Sequence, residues 1–370
     1  MKGFTEILVS SVVGLGAILI VNQLNSQLSA QRGVDRSNID SAVAITGGWP
    51  KPSPPRSAFE KRLGQPVTVA AIDTGCDIHH PDLTEWIWNN AGESGWDDNG
   101  RDKSSNGIDD DDNGFVDDVH GWDFVSNSPA LMDEHGHGTH VAGIIGAKAG
   151  SDTPMSLMIL KYYDTVGDGE LNMEASVRAI RYAVRMGARI INYSGGGLQR
   201  NQREEEALRE AEAQGVLVVA AAGNEGANSD FVPFYPASYD LPNIVSVTAT
   251  DDEGRLLRTS NFGRVSVDVA APGKNILSAL PNARHGFMTG TSQATAQITA
   301  AAAVLMSRAA TWPRPESLIE QMQQSGRRLA SLEGKTSQGN FVNLEKPFAA
   351  LKVSKGETDQ GASLQVLSWF

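Results

Sequence analysis

PVTVAAIDTG, residues 66–75, is a short run of β-branched residues and alanines that ends in an acid and a glycine. Continuous apolar runs of this length belong to strands covered on both faces, so it predicts a buried parallel strand with Asp73 at its carboxyl end. SLMILKYY (156–163), RIINYS (189–194), GVLVVAAAGN (215–224) and NIVSVTAT (243–250) repeat the pattern. Between and after them, HVAGIIGAK (140–148) and EASVRAIRYAVRMGA (174–188) have helical spacing, and ITAAAAVLM (298–306) is apolar on nearly every side. Strands alternating with helices make βαβ units, so the fold class is α/β with a mostly parallel central sheet flanked by helices. Ligands bind such sheets outside the carboxyl ends of the strands, where Asp73, Ser194 and Asn224 all fall.

The N-terminus breaks the pattern. An apolar run from Ile7 to Val21 follows Lys2 and leads into small and polar residues through Ser29 and Ala30. Its length suits a secretory signal better than a full membrane span of about 20 residues, although Glu6 and the imperfect LSA site leave an uncleaved anchor as the alternative. The expected organisation is a signal peptide or membrane anchor over 1–30, a proline-rich linker over 31–60 (WPKPSPPRS), a folded domain over 61–350 and a weakly patterned tail over 351–370. The protein is then expected to be secreted or periplasmic, or held at a membrane only through residues 7–21.

Composition narrows the partners. The net charge of -13 argues against a nucleic-acid partner, which would normally require a basic face. The single cysteine, Cys76, excludes an intrachain disulfide and a four-cysteine zinc site, and is expected to serve as a buried small hydrophobe. Oligomeric state is left open.

GTSQATAQ, residues 290–297, opens the apolar helix. Ser292 there either caps the helix or acts as a nucleophile beside the positive end of its dipole, and a serine hydroxyl needs a base to react. Asp73 in AAIDTG, His137 in HGHGTHVAG and Asn224 in AAAGNEG each have an ordinary role as turn or helix-start residues. With INYSGGG, YPASY, SNFG and AAPG between them, these four blocks, in this order from about residue 60 to 350, resemble the subtilisin-like serine peptidases.

The resemblance implies a three-layer subtilisin-like fold and a serine endopeptidase that cleaves polypeptides through an acyl-enzyme. Ser292 would be the nucleophile, His137 the general base and acid, Asp73 the residue that orients the imidazole, and Asn224 the oxyanion donor. Ser194, Gly195, Gly196 and Gly197, with Ala221, Ala222, Gly223 and Glu225, would line the substrate cleft and pair with an extended peptide. Gly195 stands where many relatives carry a larger apolar residue and Glu225 lies near the pocket mouth, which suggests a preference for basic side chains. The peptide bond between Tyr235 and Pro236 would be cis. One departure is downstream of the nucleophile, where Ala296 replaces the usual proline and Gln297 a common histidine.

Two alternatives remain at this stage. His135, His137 and His140 have the H-x-H-x-x-H spacing of some zinc hydrolases, with Thr139 where that family usually has an acid. A noncatalytic relative could also keep the glycine-lined cleft only to bind peptides.

The acidic insertion, residues 93–124, holds much of the negative charge. Asp109, Asp111 and Asn113, then Gly114, Phe115 and Asp117, reproduce the first part of a calcium loop: oxygen ligands at alternate positions, a glycine for the turn and a backbone carbonyl. His120 occupies the position of the closing glutamate, so this is not a full EF-hand. DDNG, residues 97–100, is a fainter copy. A structural calcium ion is expected here.

Overall fold

The structure is a computed structural model that describes residues 66–164, 169–309 and 311–343. The expected signal or anchor over 1–30, the linker over 31–60 and the tail over 351–370 lie outside these residues. Among the described residues no helix is long and apolar enough to cross a membrane.

The strands are β1 (Val67–Asp73), β2 (Gly121–Asp123), β3 (Met155–Lys161), β4 (Ile190–Tyr193), β5 (Leu217–Ala221), β6 (Ile244–Thr250), β7 (Val269–Pro272), β8 (Ile276–Leu280), β9 (Arg284–Met288), β10 (Arg327–Arg328) and β11 (Asn340–Phe341). The α-helices are α1 (His137–Ala149), α2 (Gly169–Arg185), α3 (Gln202–Ala213), α4 (Thr291–Arg308) and α5 (Pro315–Ser325). Nine strands form one sheet in the order β10-β11-β7-β6-β5-β4-β1-β3-β2, parallel except for the β10–β11 pair, while β8 and β9 form a separate antiparallel hairpin.

The side chains of β1 explain the layers. Val67, Val69 and Ala71 face one core, with α1 and α4, while Ala70 and Ile72 face the other, with α2 and α3. Successive residues of a strand point to opposite faces, so a run apolar at every position is buried on both. β1 pairs with β3 on one side and β4 on the other, which makes it the strand at which the winding reverses. The crevice beyond its carboxyl end is where such sheets place their ligands, and Asp73 is its last residue.

Candidate active site

Asp73 and His137 meet at that crevice. His137, the first residue of α1, directs its Nδ1 to Asp73 Oδ1 at 2.7 Å, and both side chains are buried. The second bond to Asp73 Oδ1 comes from the Thr74 N–H at 2.8 Å. Burial alone would lower the pKa of His137, but the charge and hydrogen bond of Asp73, aided by the charge of Asp133, hold it above the ordinary histidine value.

Asp133 is a residue that sequence reasoning missed. It is buried, and its Oδ1 accepts from the Thr74 hydroxyl, the His135 N–H and the Gly136 N–H, while its Oδ2 accepts from the N–H and hydroxyl of Thr139. It therefore supplies the cap that α1 lacks at Gly136 and ties the start of that helix to the residue after Asp73. An acid four residues before a helical histidine is the signal that could have revealed it.

Ser292 does not cap its helix. The N-cap of α4 is Gly290, with no side-chain cap bond, and the Thr291 N–H donates instead to Asn224 Oδ1 at 2.9 Å. The Ser292 hydroxyl donates to the Ser194 carbonyl at 2.9 Å, and the Ser194 hydroxyl donates back to the Ser292 carbonyl at 3.3 Å. Helix α4 thus opens with its serine free of capping duty.

The cleft segments divide into open and occupied backbone. Gly195 and Gly196 are half-buried, but Gly197 exchanges two 2.7 Å backbone bonds with Tyr235 and so has no free backbone edge for a peptide. The bond between Tyr235 and Pro236 is cis, as expected. Ala221 and Ala222 are buried, and the Ala222 carbonyl accepts from Asn261 Nδ2 at 2.9 Å. The Gly223 carbonyl accepts from the Asn261 N–H, while Asn261 Oδ1 receives the Glu225 and Ala227 N–H groups and its Nδ2 reaches the Glu225 carboxylate at 2.7 Å. The buried Asn261 of SNFG is thus a second residue whose role was missed: it holds the loop that carries Asn224.

Gly195 does not widen the cleft. A Cβ there would lie 2.0 Å from the Tyr162 hydroxyl, so the space of the missing side chain is already filled. That removes the structural basis for expecting basic specificity from Gly195.

The three histidines do not converge. His137 Nδ1 is held by Asp73, whereas His140 Nε2 donates to the Ile276 and Gly286 carbonyls at 3.0 and 3.1 Å. Burial pushes the pKa of His140 down to about 4, leaving it a neutral structural group, and His135 packs edge-on to His137 with ring centroids 6.2 Å apart. The zinc alternative is therefore corrected: the three imidazoles do not bring their ring nitrogens together as a metal site would require. Cys76 is buried as expected, and burial raises its thiol pKa well above the ordinary value.

In the insertion, Asp109 and Asp111 come together with a residue not anticipated, Glu93: one oxygen from each lies within 4.8 Å of the other two. Asn113 and Asp117 have hydrogen-bond partners of their own. Asn113 Oδ1 accepts from the Phe115 N–H and its Nδ2 donates to Asp118, while Asp117 Oδ1 accepts from the Gly107 N–H at 3.1 Å. Phe115 packs edge-on against Trp122, Phe124 and Tyr182. The fainter copy is a turn closed by Arg101, which pairs with Asp97 at 2.6 Å.

A buried aspartate–histidine pair at the carboxyl end of β1 and a serine in the first turn of α4 are the kinds of side chain that a serine hydrolase uses. The chain belongs to the subtilase family, whose model matches residues 64–340. It is 35% identical over 295 residues to the major intracellular serine protease of Bacillus subtilis (strain 168), covering 77% of this chain and 83% of that protein. To thermitase of Thermoactinomyces vulgaris it is 32% identical over 270 residues, 71% and 83% of the two chains. Among solved structures, a cold adapted subtilisin-like serine proteinase matches with a TM-score of 0.58 and 25% identity over 74% of this chain and 87% of that one. The protein is accordingly a serine-type endopeptidase.

Proposed function

We propose that the enzyme cleaves polypeptides through an acyl-enzyme on Ser292, with His137 as general base and then acid. The observation that carries this is the buried 2.7 Å bond between His137 Nδ1 and Asp73. It fixes the tautomer whose Nε2 is the basic nitrogen, and Asp73 stabilises the imidazolium formed when the serine proton moves. Ser292 leaves the Ser194 carbonyl by rotating about χ1 and gives its proton to His137 as it attacks the scissile carbonyl. Such bonds are often absent before substrate arrives. Asn224, its Oδ1 held by Thr291, directs Nδ2 at the tetrahedral oxyanion together with the Ser292 N–H at the start of α4. Collapse of that intermediate passes the proton from His137 to the leaving amine, and water then repeats the sequence on the ester.

The backbone of Gly195 and Gly196 is the edge that receives the extended substrate. In the insertion, the all-oxygen cluster that includes Asp109 and Asp111 suits calcium, a hard cation that takes carboxylate and carbonyl oxygens. When bound, the ion supplies the positive charge that holds these carboxylates together.

Labelling with a fluorophosphonate tests the nucleophile. The wild type should be labelled at Ser292 and Ser292→Ala left unlabelled. A folded wild type that takes no label, or a variant that still does, rejects the assignment.

A further inference from the structure

We infer that Glu93 is a ligand of the calcium site, closing it from a turn sixteen residues before Asp109 in place of the glutamate missing at position 120. This rests on the proposal that the insertion holds calcium, and says which residues do so.

Glu93 is fully buried, yet only half of its carboxylate is satisfied. Oε1 accepts the Asp110 N–H at 2.7 Å, while Oε2 is buried with no hydrogen-bond partner. A buried carboxylate oxygen without a partner is costly, and carboxylates in mutual contact add repulsion. The nearby Lys103 does not answer that charge: its Nζ lies 3.9 Å from Asp110 and 3.4 Å from the Gly92 carbonyl. The adjacent backbone is shaped for the approach. A Cβ at Gly92 would lie 2.4 Å from the Asp111 Cβ, so only glycine lets Asp111 come so close beside Glu93.

The other oxygens are held by donors rather than by cations. Asp109 accepts the Asn113 and Gly114 N–H groups, and Asp111 accepts the Asn113 N–H and Asn90 Nδ2. With no nitrogen or sulfur donor in the trio, the chemistry is that of calcium rather than zinc. Because Asn90 also donates to Asp118, which takes the Tyr182 hydroxyl from α2, an ion at Glu93 would fasten the insertion to the body of the enzyme.

The test is calcium titration by calorimetry on the full chain carrying Ser292→Ala, stripped with a chelator. Asp109→Asn identifies the insertion site among any others by the isotherm it removes. Glu93→Gln should weaken that same isotherm at least tenfold, and Asp117→Asn should leave it within about twofold. The thermal shift given by calcium should shrink in parallel, while the chelated variants keep the near-ultraviolet dichroism of the parent. Parent-like affinity in Glu93→Gln, with the site lost in Asp117→Asn, overturns the assignment but leaves calcium in the loop. A parent whose isotherm is unchanged by Asp109→Asn, Asp111→Asn and Glu93→Gln alike means that the insertion holds no calcium, and both readings fall.

Discussion

Asn224 Oδ1 accepts two bonds from Thr291, the N–H at 2.9 Å and the hydroxyl at 3.2 Å. One side-chain oxygen thus caps α4 from another loop and fixes the direction of the amide. If Nδ2 is the oxyanion donor, as proposed, its orientation does not have to be found during the reaction, which is what makes such a group effective. Asn224→Ala should therefore lower kcat by about 10²–10³ with little change in KM, the scale known for loss of the side-chain oxyanion donor in subtilisin. Asn224→Asp keeps the acceptor for Thr291 but removes the donor, so it should be as slow as the alanine variant. Steady-state kinetics on a peptide substrate decide this, and an aspartate variant near wild-type rate would contradict the role given to Nδ2.

In the proposed mechanism His137 must be neutral to accept a proton, so activity should disappear as pH falls through its pKa. That pKa is held above the ordinary value of 6.5, with Asp133 contributing through its charge. The acidic limb of kcat/KM should accordingly lie above pH 6.5 in the wild type and move to lower pH in Asp133→Asn. The same variant loses an acceptor shared by Thr74 and Thr139, so kcat at the plateau should fall too, and Asp133→Glu should restore the limb better than the plateau. A pH–rate profile separates the two effects, since misplacement alone lowers the plateau without moving the limb.

The residues proposed to do the chemistry stand out in the sequence where they sit at the end of a strongly patterned element. Asp73 ends a strand apolar at every position, and Ser292 opens a helix apolar on nearly every side. The predicted β1, β3, β4, β5 and β6 all appear, with ends shifted by a residue or a few. Helix α3 was not anticipated because QREEEALREAEA is mostly polar, and its stability comes from packing Ala207, Leu208 and Ala211 against the sheet rather than from a visible apolar stripe. Asp133, Asn261 and Glu93 were missed for a different reason. Their partners are backbone groups or side chains distant in the chain, and hydrogen bonds of that kind leave no periodicity to read.

The pairing of Gly195 with Tyr162 offers a test of packing near the cleft. A Cβ at position 195 would stand 2.0 Å from the Tyr162 hydroxyl but 3.2 Å from its Cζ. Gly195→Ala should be destabilised by about 1–3 kcal/mol, the usual cost of overpacking. Tyr162→Phe removes the offending oxygen, so the alanine should cost much less in that background. Chemical denaturation of the four proteins in a double-mutant cycle gives the coupling directly, and additive effects would show that the hydroxyl moves aside freely.

Glu204 makes a prediction about stability rather than rate. It lies buried in α3, where the Tyr193 hydroxyl donates to Oε1 at 3.0 Å and the Tyr239 hydroxyl to Oε2 at 2.9 Å. Burial raises its pKa to about 7 from the ordinary 4.5, in spite of those two bonds. Below pH 4.5 the folded and unfolded chains both carry the proton. Between 4.5 and about 7 the unfolded chain has released it while the folded one keeps it, so this group makes the fold less stable as pH rises through that window, and adds no further slope above it. Glu204→Gln removes the titration. In the Ser292→Ala background, which prevents self-digestion, the melting temperature of the glutamine variant minus that of its parent should increase from pH 4.5 to about 7 and then level off. A difference that stays constant across the window would mean that the folded enzyme accommodates the Glu204 carboxylate as readily as water does.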